Sequence, residues 1–135
     1  MSFSDGSDCT TNAWGAGVVQ TALVDSVAND PAVLALGLAE AWACATPAAV
    51  QKVLGWAGNT GERNGVALLA RYGFAGSPRW LQLDTSSASN PADTMWVVTA
   101  PVCLDPSCSG TIDVFATHWT PLAATQAVAY SMVAP

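Results

Sequence analysis

The sequence predicts a mixed α/β layer formed by a single domain, because segments with helical and with strand periodicity alternate along it and are joined by short connections. The chain has 135 residues, of which 51% are hydrophobic and 10% are charged. Disordered chains show the reverse composition, with few apolar side chains and a high net charge. A chain of this length is expected to form one domain, since domains hold roughly 100–200 residues.

The amino-terminal third is predicted to hold a strand, a helix and a second strand. Ser2–Ser4 is expected to end the first strand, and Asn12 is a good N-cap for a helix whose apolar residues recur at helical spacing up to Ala28. Asn29-Asp30-Pro31 breaks that helix. The apolar run Ala32–Ala39 then has the composition of a strand that is buried on both of its faces.

The middle of the chain is predicted to hold a second helix and a polar loop. Thr46 followed by Pro47 is a strong helix start, because the threonine side chain caps the first turn and proline suits the first helical position. Gly55 supplies the C-terminal stop. Gly58–Gly65 is rich in glycine and polar residues, so it is expected to be a loop.

A run of strands follows in the predicted order. The expected strands are Val66–Tyr72, Trp80–Leu83, Thr94–Val102 and Thr111–Trp119. Thr120-Pro121 repeats the cap-and-proline signal and predicts a closing helix over Leu122–Val133. The order is therefore β-α-β-α followed by strands, which indicates a mixed sheet with helices rather than an all-β domain.

Four cysteines, an even number, favour disulfide bonds. Cys103 and Cys108 enclose an Asp-Pro turn that would bring their sulfur atoms together, which leaves Cys9 and Cys44 as the second pair. Free thiols and a Cys₄ zinc site remain alternatives, although neither pair has the C-x₂-C spacing typical of zinc sites. Disulfides predict a secreted or periplasmic protein.

Charge and hydropathy exclude two kinds of partner. Ten acidic and four basic side chains give a formal net charge of −6, and four cations are too few to neutralise a nucleic-acid backbone. The longest apolar stretch, Pro31–Ala39, ends at Glu40 and is much shorter than the roughly 20 residues of a membrane-spanning helix. A ligand that carries phosphate would need a metal ion to supply positive charge.

Four segments of the chain match the order of motifs in a known family. They are Met1-Ser2-Phe3, the run Val33–Glu40, the run Asn64–Tyr72, and Val114–Trp119 with its Thr-His-Trp motif. Taken together, they resemble the first half of the endonuclease/exonuclease/phosphatase superfamily, which has the DNase I-like fold. The resemblance covers nearly the whole chain and implies half of an α/β sandwich, with helices on one face of a mixed sheet, as a single truncated domain over residues 1–135.

The resemblance implies a site built on Glu40 and His118. In the family, the acidic residue that closes the second strand binds the catalytic divalent metal, and the histidine of the Thr-His-aromatic motif contacts the scissile phosphate. Those catalytic and metal-binding roles would fall to Glu40 and to His118, the only histidine. Asp5 would replace the metal-binding asparagine of the family, and the metal would be Mg²⁺, Mn²⁺, Ca²⁺ or Zn²⁺.

Each of these residues also has a purely structural interpretation. Glu40 could be an ordinary carboxylate at a strand end. His118 could be a structural histidine on the strand face that it shares with Ile112, Val114 and Ala116. Asp5 could belong to a solvated acidic loop. The six tryptophans are expected in the core or in an interface, since no basic groove accompanies them.

Asn64, Tyr72 and Asp113 complete the set of candidates. The first two are weaker candidates for phosphate contacts, because turn formation and core packing explain them equally well. Asp113 alternates to the strand face opposite His118 and is expected to be structural.

A single layer of this kind would expose the apolar face of its sheet, beyond the few hundred Å² that monomers usually expose. We therefore expect a homodimer in which two copies pair through that face about a two-fold axis and bring Glu40 and His118 of both chains into one cleft. The expected function is a metal-dependent phosphoesterase that acts on small phosphodiesters or phosphotriesters. The alternative is a non-catalytic fragment or interaction module.

Overall fold

A computed structural model gives the structure of this chain and describes residues 17–39, 41, 44–83 and 95–118. Within these residues, helices pack on one face of a small antiparallel sheet, and a second antiparallel sheet packs on its other face. The protein therefore has a mixed α/β structure, as the sequence predicts.

Two helices and six strands follow one another along the described residues. The helices are α1 (Val18–Leu23), which continues as a π-helical turn over Val24–Ala28, and α2 (Pro47–Leu54). The strands are β1 (Ala35–Leu38), β2 (Gly58–Asn59), β3 (Ala67–Ala70), β4 (Arg79–Gln82), β5 (Trp96–Cys103) and β6 (Thr111–Thr117). Sheet I has the strand order β1-β3-β2, and sheet II has the order β4-β5-β6.

The strand pairings correct the expectation of one mixed sheet. Every pairing among the described strands is antiparallel, and the strands divide between sheets I and II. For two of these pairings, β2 with β3 and β5 with β6, the reason is the short connection between the strands. A parallel pair needs a crossover of about a dozen residues or more, whereas a short turn allows antiparallel pairing alone.

Strand β3 lies in the middle of sheet I and is buried on both faces. Ala67 and Leu69 belong to the core beside the helices, whereas Leu68 and Ala70 belong to the core between the sheets. All four side chains are 0% exposed. Burial on both faces explains a continuously apolar run, and each buried leucine contributes about 1.5–3 kcal/mol to folding.

Sheet II packs on the face of sheet I that we expected to bind a second copy of the chain. The two sheets approach closely because the residues between them are small. A Cβ atom added to Gly37 of β1 would lie 3.2 Å from the Cβ atom of Ala116 in β6. Val98 and Val102 of β5 complete this core. The expectation that this face pairs with another chain is therefore wrong, because the chain covers it with its own second sheet.

Helix α2 has both of the predicted ends. The Oγ1 atom of Thr46 accepts a hydrogen bond from the backbone N–H of Ala49 at 3.2 Å, and Gly55 ends the helix in the left-handed conformation with φ 67°. Val50 and Leu54 are buried in the core between the helices and sheet I. The cap, the proline and the glycine thus act where the sequence places them.

Helix α1 begins later than predicted. Gly17 precedes it with φ 78°, a left-handed conformation, so no continuous helix passes through this residue. The predicted start, Asn12, lies outside the described residues. At the other end, the N–H of Asn29 donates to the carbonyl of Val24 at 2.9 Å, and Asp30 Oδ1 accepts from the N–H of Ala32 at 2.9 Å. The predicted break at this point is confirmed.

Arg71, directly after β3, holds the end of α1 and the turn that follows it. Its Nη2 atom donates to the carbonyls of Val27 at 2.9 Å and Ala28 at 3.1 Å. The same nitrogen donates to Asp30 O, and Nε donates to a further carbonyl in this turn. The guanidinium also lies 5.3 Å from the ring centroid of Trp56. A cation here satisfies carbonyls that a helix end leaves without intrahelical partners.

Strand β2 corrects the prediction of a loop over Gly58–Gly65. Gly58 and Asn59 pair with the end of β3. A Cβ atom at Gly58 would lie 2.9 Å from the Cα atom of Gly73 and 3.0 Å from the ring of Phe74. Glycine therefore allows two backbones to approach each other here, and the sequence alone does not distinguish this use from a loop.

The connection between β5 and β6 contains the predicted disulfide. Cys103 and Cys108 are bonded through their Sγ atoms at 1.98 Å. Cys44 is also disulfide-bonded, and its partner lies outside the described residues. Free thiols and a zinc site are thereby excluded for the three described cysteines.

Asp105 organises the loop that the disulfide closes. Its carboxylate accepts hydrogen bonds from the hydroxyl groups of Ser107 and Ser109 and from the backbone N–H groups of both residues. The hydroxyl of Ser107, followed by that of Ser109, lowers the pKa of Asp105 from 3.8 to about 2. The loop is therefore held by a carboxylate that stays ionised in mild acid.

Several predicted segments lie outside the described residues. They are the first strand at Ser2–Ser4, the start of the fifth predicted strand at Thr94, the end of the last one at Trp119, and the closing helix over Leu122–Val133.

Candidate functional site

Strands β3 and β5 run in the same direction on facing sheets. Arg63, just before β3, places its guanidinium over the ring of Trp96, the first residue of β5. Beyond the other end of β3, the carbonyl of Gly73 accepts a hydrogen bond from the N–H of Cys103, the last residue of β5. The start of β3 therefore lies over the start of β5, and the two strand ends also lie together.

The carboxyl ends of β1 and β6 consequently lie at the same end of the molecule. Leu38, the last residue of β1, pairs with Ala67 at the start of β3. Thr117, the last residue of β6, pairs with Val97 near the start of β5. We call this the histidine end, and its described members are Ala39, Ala41, Arg63, Asn64, Gly65, Trp80, Trp96, Thr117 and His118.

The chain on both sides of Glu40 lies at the histidine end, although Glu40 itself is outside the described residues. Ala39 directly follows β1. The N–H of Ala41 donates to the carbonyl of Gly65 at 2.9 Å, which ties this segment to the turn before β3. Asp5 also lies outside the described residues, so the convergence of Glu40, Asp5 and His118 stays a prediction.

His118 directly follows β6 and is half-buried. Along β6, Val114 and Ala116 pack into the core between the sheets, whereas Asp113 and Phe115 are exposed. The predicted alternation, with Asp113 on the outer face, is therefore confirmed. If this alternation continues for two more residues, the side chain of His118 lies on the same side of sheet II as those of Val114 and Ala116.

Trp96 is the nearest neighbour of His118 in the register of sheet II. Val97 pairs with Thr117, so the next step of the ladder sets Trp96 opposite His118. The hydroxyl of Thr117 donates to the carbonyl of Trp96 at 2.9 Å. This bond fixes the end of β6 beside the start of β5, and with it the backbone position from which His118 departs.

A tight turn presents Arg63 at the same end. The N–H of Arg63 donates to the carbonyl of Val66 at 3.1 Å, and the reverse bond measures 3.0 Å. Asn64 and Gly65 between them have φ values of 47° and 76°, both left-handed. These are the properties of a type I′ turn, for which Asn-Gly is the preferred pair. The interpretation of Asn64 as a turn residue is therefore confirmed.

The guanidinium of Arg63 lies in the corner between two indole rings. Its Cζ atom is 5.0 Å from the ring centroid of Trp80 and 4.8 Å from that of Trp96. The two ring centroids are 6.4 Å apart, and the ring planes make an angle of 84°. Each cation–π contact contributes about 0.5–1 kcal/mol at an exposed position.

Arg63, Trp80 and Trp96 were not predicted from the sequence to belong to a site. The tryptophans were expected in a core or an interface, and a lone arginine beside an Asn-Gly turn gives no signal of its own. Tyr72, in contrast, is the second residue after β3 and so lies at the opposite end of this strand from Asn64. The two weaker candidates therefore do not share a site.

The described residues contain one of the three predicted metal ligands, His118. Among residues 17–39, 41, 44–83 and 95–118, no three His, Cys, Asp or Glu side chains are grouped so that they could hold a metal ion. An imidazole nitrogen together with carboxylate oxygens is a donor set that Mn²⁺ and Zn²⁺ accept. A metal at the histidine end would therefore depend on Glu40 and Asp5 in addition to His118.

Neither a family model, a curated protein nor a solved structure matches this chain. In the described part of the chain, no helix has the length and apolar character required to cross a membrane. The resemblance to the endonuclease/exonuclease/phosphatase superfamily therefore stays a prediction from the sequence motifs.

Proposed function

We propose that this chain is a metal-dependent phosphoesterase with a DNase I-like half-fold, and that it hydrolyses phosphodiester or phosphotriester bonds of small substrates at the histidine end. One observation supports the proposal. The backbone on both sides of Glu40 and the strand that leads to His118 end at the same place. The motifs that resemble the superfamily assign chemistry to the same two residues.

Each residue has a role in this proposal. Glu40 and Asp5 hold a divalent cation, and His118 completes the ligand set or contacts the phosphate. The cation supplies positive charge that stabilises phosphoryl oxygens. The imidazole of His118 donates a hydrogen bond to a phosphate oxygen or passes a proton to the leaving group, the roles that histidine commonly has in general acid–base catalysis.

The proposal includes a homodimer, now through a different surface. Leu81 and Phe115 are 53% and 65% exposed. Both lie on the outer face of sheet II, as the register and the buried inner face show. Large apolar side chains grouped on a sheet face favour a partner that covers them. A second copy would do so about a two-fold axis.

Light scattering at micromolar concentration tests the dimer. The wild type is expected to elute with twice the mass of one chain. Phe115→Lys is expected to shift the population towards monomer, because the charge opposes burial of this face. Asp25→Lys, an exposed position in the π-helical turn after α1, is the matched control for added charge. A wild-type monomer contradicts the homodimer.

Metal content and ester hydrolysis test the catalytic assignment. The wild type, gently purified, is expected to carry at most one divalent metal per dimer and to hydrolyse an activated p-nitrophenyl phosphate ester. His118→Ala should reduce kcat by about 10²–10⁴-fold, the usual contribution of a general acid or base. Glu40→Gln should lower both metal content and turnover. Asp113→Asn is the matched control, and activity that survives in both site variants refutes the assignment.

We also propose that the protein is secreted or periplasmic. The disulfide at Cys103 and Cys108 and the bonded state of Cys44 support this location, since such bonds persist in oxidising compartments. Alkylation of the freshly isolated, denatured protein tests it. Unlabelled cysteines are expected, and labelling of Cys103 and Cys108 contradicts the proposal.

A second candidate function is a non-catalytic interaction module. The exposed outer face of sheet II favours it, because Leu81 and Phe115 form a surface for a partner whether or not the chain has a reaction to perform. A wild-type protein with neither metal nor turnover, but with self-association that depends on Phe115, would support this function over the first.

A further inference from the structure

The chain offers few positive charges to an anionic ligand, and the structure shows where each of them lies. The net charge is −6, and the cations are Lys52, Arg63, Arg71 and Arg79. Arg71 donates its hydrogen bonds to backbone carbonyls. Lys52 lies in the last turn of α2, and Arg79 lies on the outer face of sheet II beside Thr99. Arg63 is the side-chain cation at the histidine end.

The ring contacts of Arg63 among the described residues use the face of its guanidinium. Trp80 and Trp96 hold the group at 5.0 Å and 4.8 Å. Within the described part of the chain, no side-chain or backbone acceptor bonds to it, and the residue is exposed. A guanidinium carries five N–H donors in its plane, arranged to bind two oxygens of a phosphate side by side.

Arg63 is also pre-organised for such a ligand. The type I′ turn fixes its backbone through two reciprocal hydrogen bonds with Val66, and the two indole rings fix its side chain. The neighbouring carboxylate of Glu62 accepts a hydrogen bond from the N–H of Gly65 within the turn. A ligand that binds Arg63 therefore orders few additional groups, which favours binding.

Arg63 and the residue before His118 contact the same tryptophan. The ring of Trp96 contacts the guanidinium of Arg63, and its carbonyl accepts the hydroxyl of Thr117, the residue before His118. We therefore expect a small phosphate ester that reaches His118 to come within reach of Arg63. The indole ring of Trp96 offers an apolar surface against which the ester group can lie.

We propose that Arg63 binds a charged, non-bridging phosphate oxygen and thereby determines substrate specificity, favouring phosphodiester anions over neutral phosphotriesters. The preference among substrates rests on the proposed phosphoesterase function. The binding of a phosphate anion at Arg63 does not depend on that function. The reason for the preference is that a triester has no anionic oxygen to pair with the guanidinium, while both classes of ester share the remaining contacts.

A binding experiment tests Arg63 without requiring turnover. Nuclear magnetic resonance would follow the Nε–H of Arg63 and the indole N–H groups of Trp80 and Trp96 during titration with dimethyl phosphate, an anion, and with trimethyl phosphate, its neutral analogue. Saturable shifts are expected with the anion alone. Arg63→Gln should abolish the indole shifts, and Arg79→Gln, the matched exposed arginine on the outer face, should leave them unchanged. Equal shifts with both compounds, or shifts that persist in Arg63→Gln, overturn the inference.

A kinetic experiment tests the specificity. For Arg63→Gln, kcat/KM for bis(p-nitrophenyl) phosphate should fall by about 10–100-fold, the range expected for one hydrogen bond to a charged group. The value for a neutral dialkyl p-nitrophenyl phosphate should stay within about twofold of wild type, since that ester makes no charged contact. An equal loss for both esters overturns the specificity role.

The two experiments separate failure of the inference from failure of the proposed function. If the wild type hydrolyses neither ester, the phosphoesterase proposal fails, and the titration alone decides whether Arg63 binds phosphate anions. If the wild type hydrolyses both esters and the titration shows no shift at Arg63, the inference fails and the phosphoesterase proposal stands. Circular dichroism of Arg63→Gln confirms that the variant folds.

Discussion

Strand β3 has one arginine at each end, and the two arginines have different environments. Arg71, after the strand, donates to several backbone carbonyls and also packs on Trp56. Arg63, before the strand, packs on Trp80 and Trp96, and its guanidinium donates to no acceptor among the described residues. Both side chains are held by indole rings. They differ in whether their N–H donors already have partners.

This difference separates a structural cation from one that is available to a ligand. The carbonyls around Arg71 belong to a helix end and the turn after it, where no intrahelical donor reaches them. Removing that guanidinium leaves several acceptors without partners. Removing the guanidinium of Arg63 exposes two indole rings and leaves no described acceptor unsatisfied. The first change is expected to affect folding, and the second to affect ligand binding.

The largest loss of stability is expected for Arg71→Ala, which tests directly whether the two arginines differ. The free energy of unfolding should fall by about 3–4 kcal/mol, since bonds from a charged donor contribute about 1.5–3 kcal/mol each and are not fully additive. Arg63→Ala, the matched control, should lose about 1–2 kcal/mol, because it removes two cation–π contacts of about 0.5–1 kcal/mol each. Urea denaturation measures both values. Equal losses would mean that the two arginines are both structural.

Gly58→Ala tests how tightly the Arg71 end of β3 is packed. A methyl group there meets the backbone of Gly73 and the ring of Phe74, so the free energy of unfolding should fall by about 1–3 kcal/mol. Gly76→Ala is the matched control, because its nearest atom, Pro101 Cγ, would lie at an ordinary 3.5 Å. Thermal denaturation of the pair makes the measurement. A Gly58→Ala protein as stable as Gly76→Ala would show that the residues around Gly58 accommodate an added methyl group without loss of stability.

Trp96→Phe tests the contact between Arg63 and an indole ring at the histidine end. Phenylalanine keeps an aromatic face and weakens the contact with Arg63, so the expected loss of stability is about 0.5–1 kcal/mol. The Nε–H signal of Arg63 should move, because the ring current over it changes. Trp56→Phe should leave that signal in place, since Trp56 packs on Arg71 instead. An Arg63 signal that does not respond to Trp96→Phe contradicts the contact.

The smallest expected effect concerns the pH dependence of the Cys103–Cys108 loop. The pKa of Asp105 is lowered from 3.8 to about 2. The native state therefore favours the ionised form, and its contribution to stability is fully present above pH 3.8 and is lost as the pH falls through about 2. Ser107→Ala should raise the pKa of Asp105 towards 3.8, as measured by carboxyl chemical shifts, and Ser77→Ala, outside the loop, should not. An unchanged pKa in Ser107→Ala would contradict the hydrogen-bond origin.

Local signals in the sequence predicted local structure well. Thr46, Pro47 and Gly55 mark both ends of α2, and Asn64-Gly65 forms the expected turn. In each case the side chain or the backbone freedom of a single residue determines the conformation at that position. Neighbouring residues are therefore sufficient for the prediction.

The partners of each strand were not predictable in the same way. The apolar composition of β1 indicated burial on both faces, but Leu38 alone is buried there, Ala35 is partly buried and Gly37 is exposed. In β3, helices and a second sheet provide burial on both faces as well as a parallel sheet would. Gly58 shows the same limit, because a glycine that permits close backbone approach has the same composition as a loop glycine. Both properties depend on residues that are distant along the chain.

The candidate site shows where sequence motifs stop being informative. His118 was found because the Thr-His-Trp motif marks it. Arg63 was missed because its neighbours Trp80 and Trp96 come together only through the pairing of β4 with β5. A site assembled by strand register carries no local signature. The register has to be known before such residues can be grouped.

The β5–β6 hairpin has a consequence for the order in which the molecule folds. Its strands are the longest described, and only residues 104–110 separate them, whereas α2 and β2 lie between β1 and β3. Because the entropy cost of closing a loop rises with its length, the hairpin can form on its own within about 1–10 μs. Sheet I gains its second covered face only when this hairpin is present. During synthesis, a nascent chain from which the helices and β3 have emerged but β5 and β6 have not would therefore still expose Leu68 and Ala70 to water.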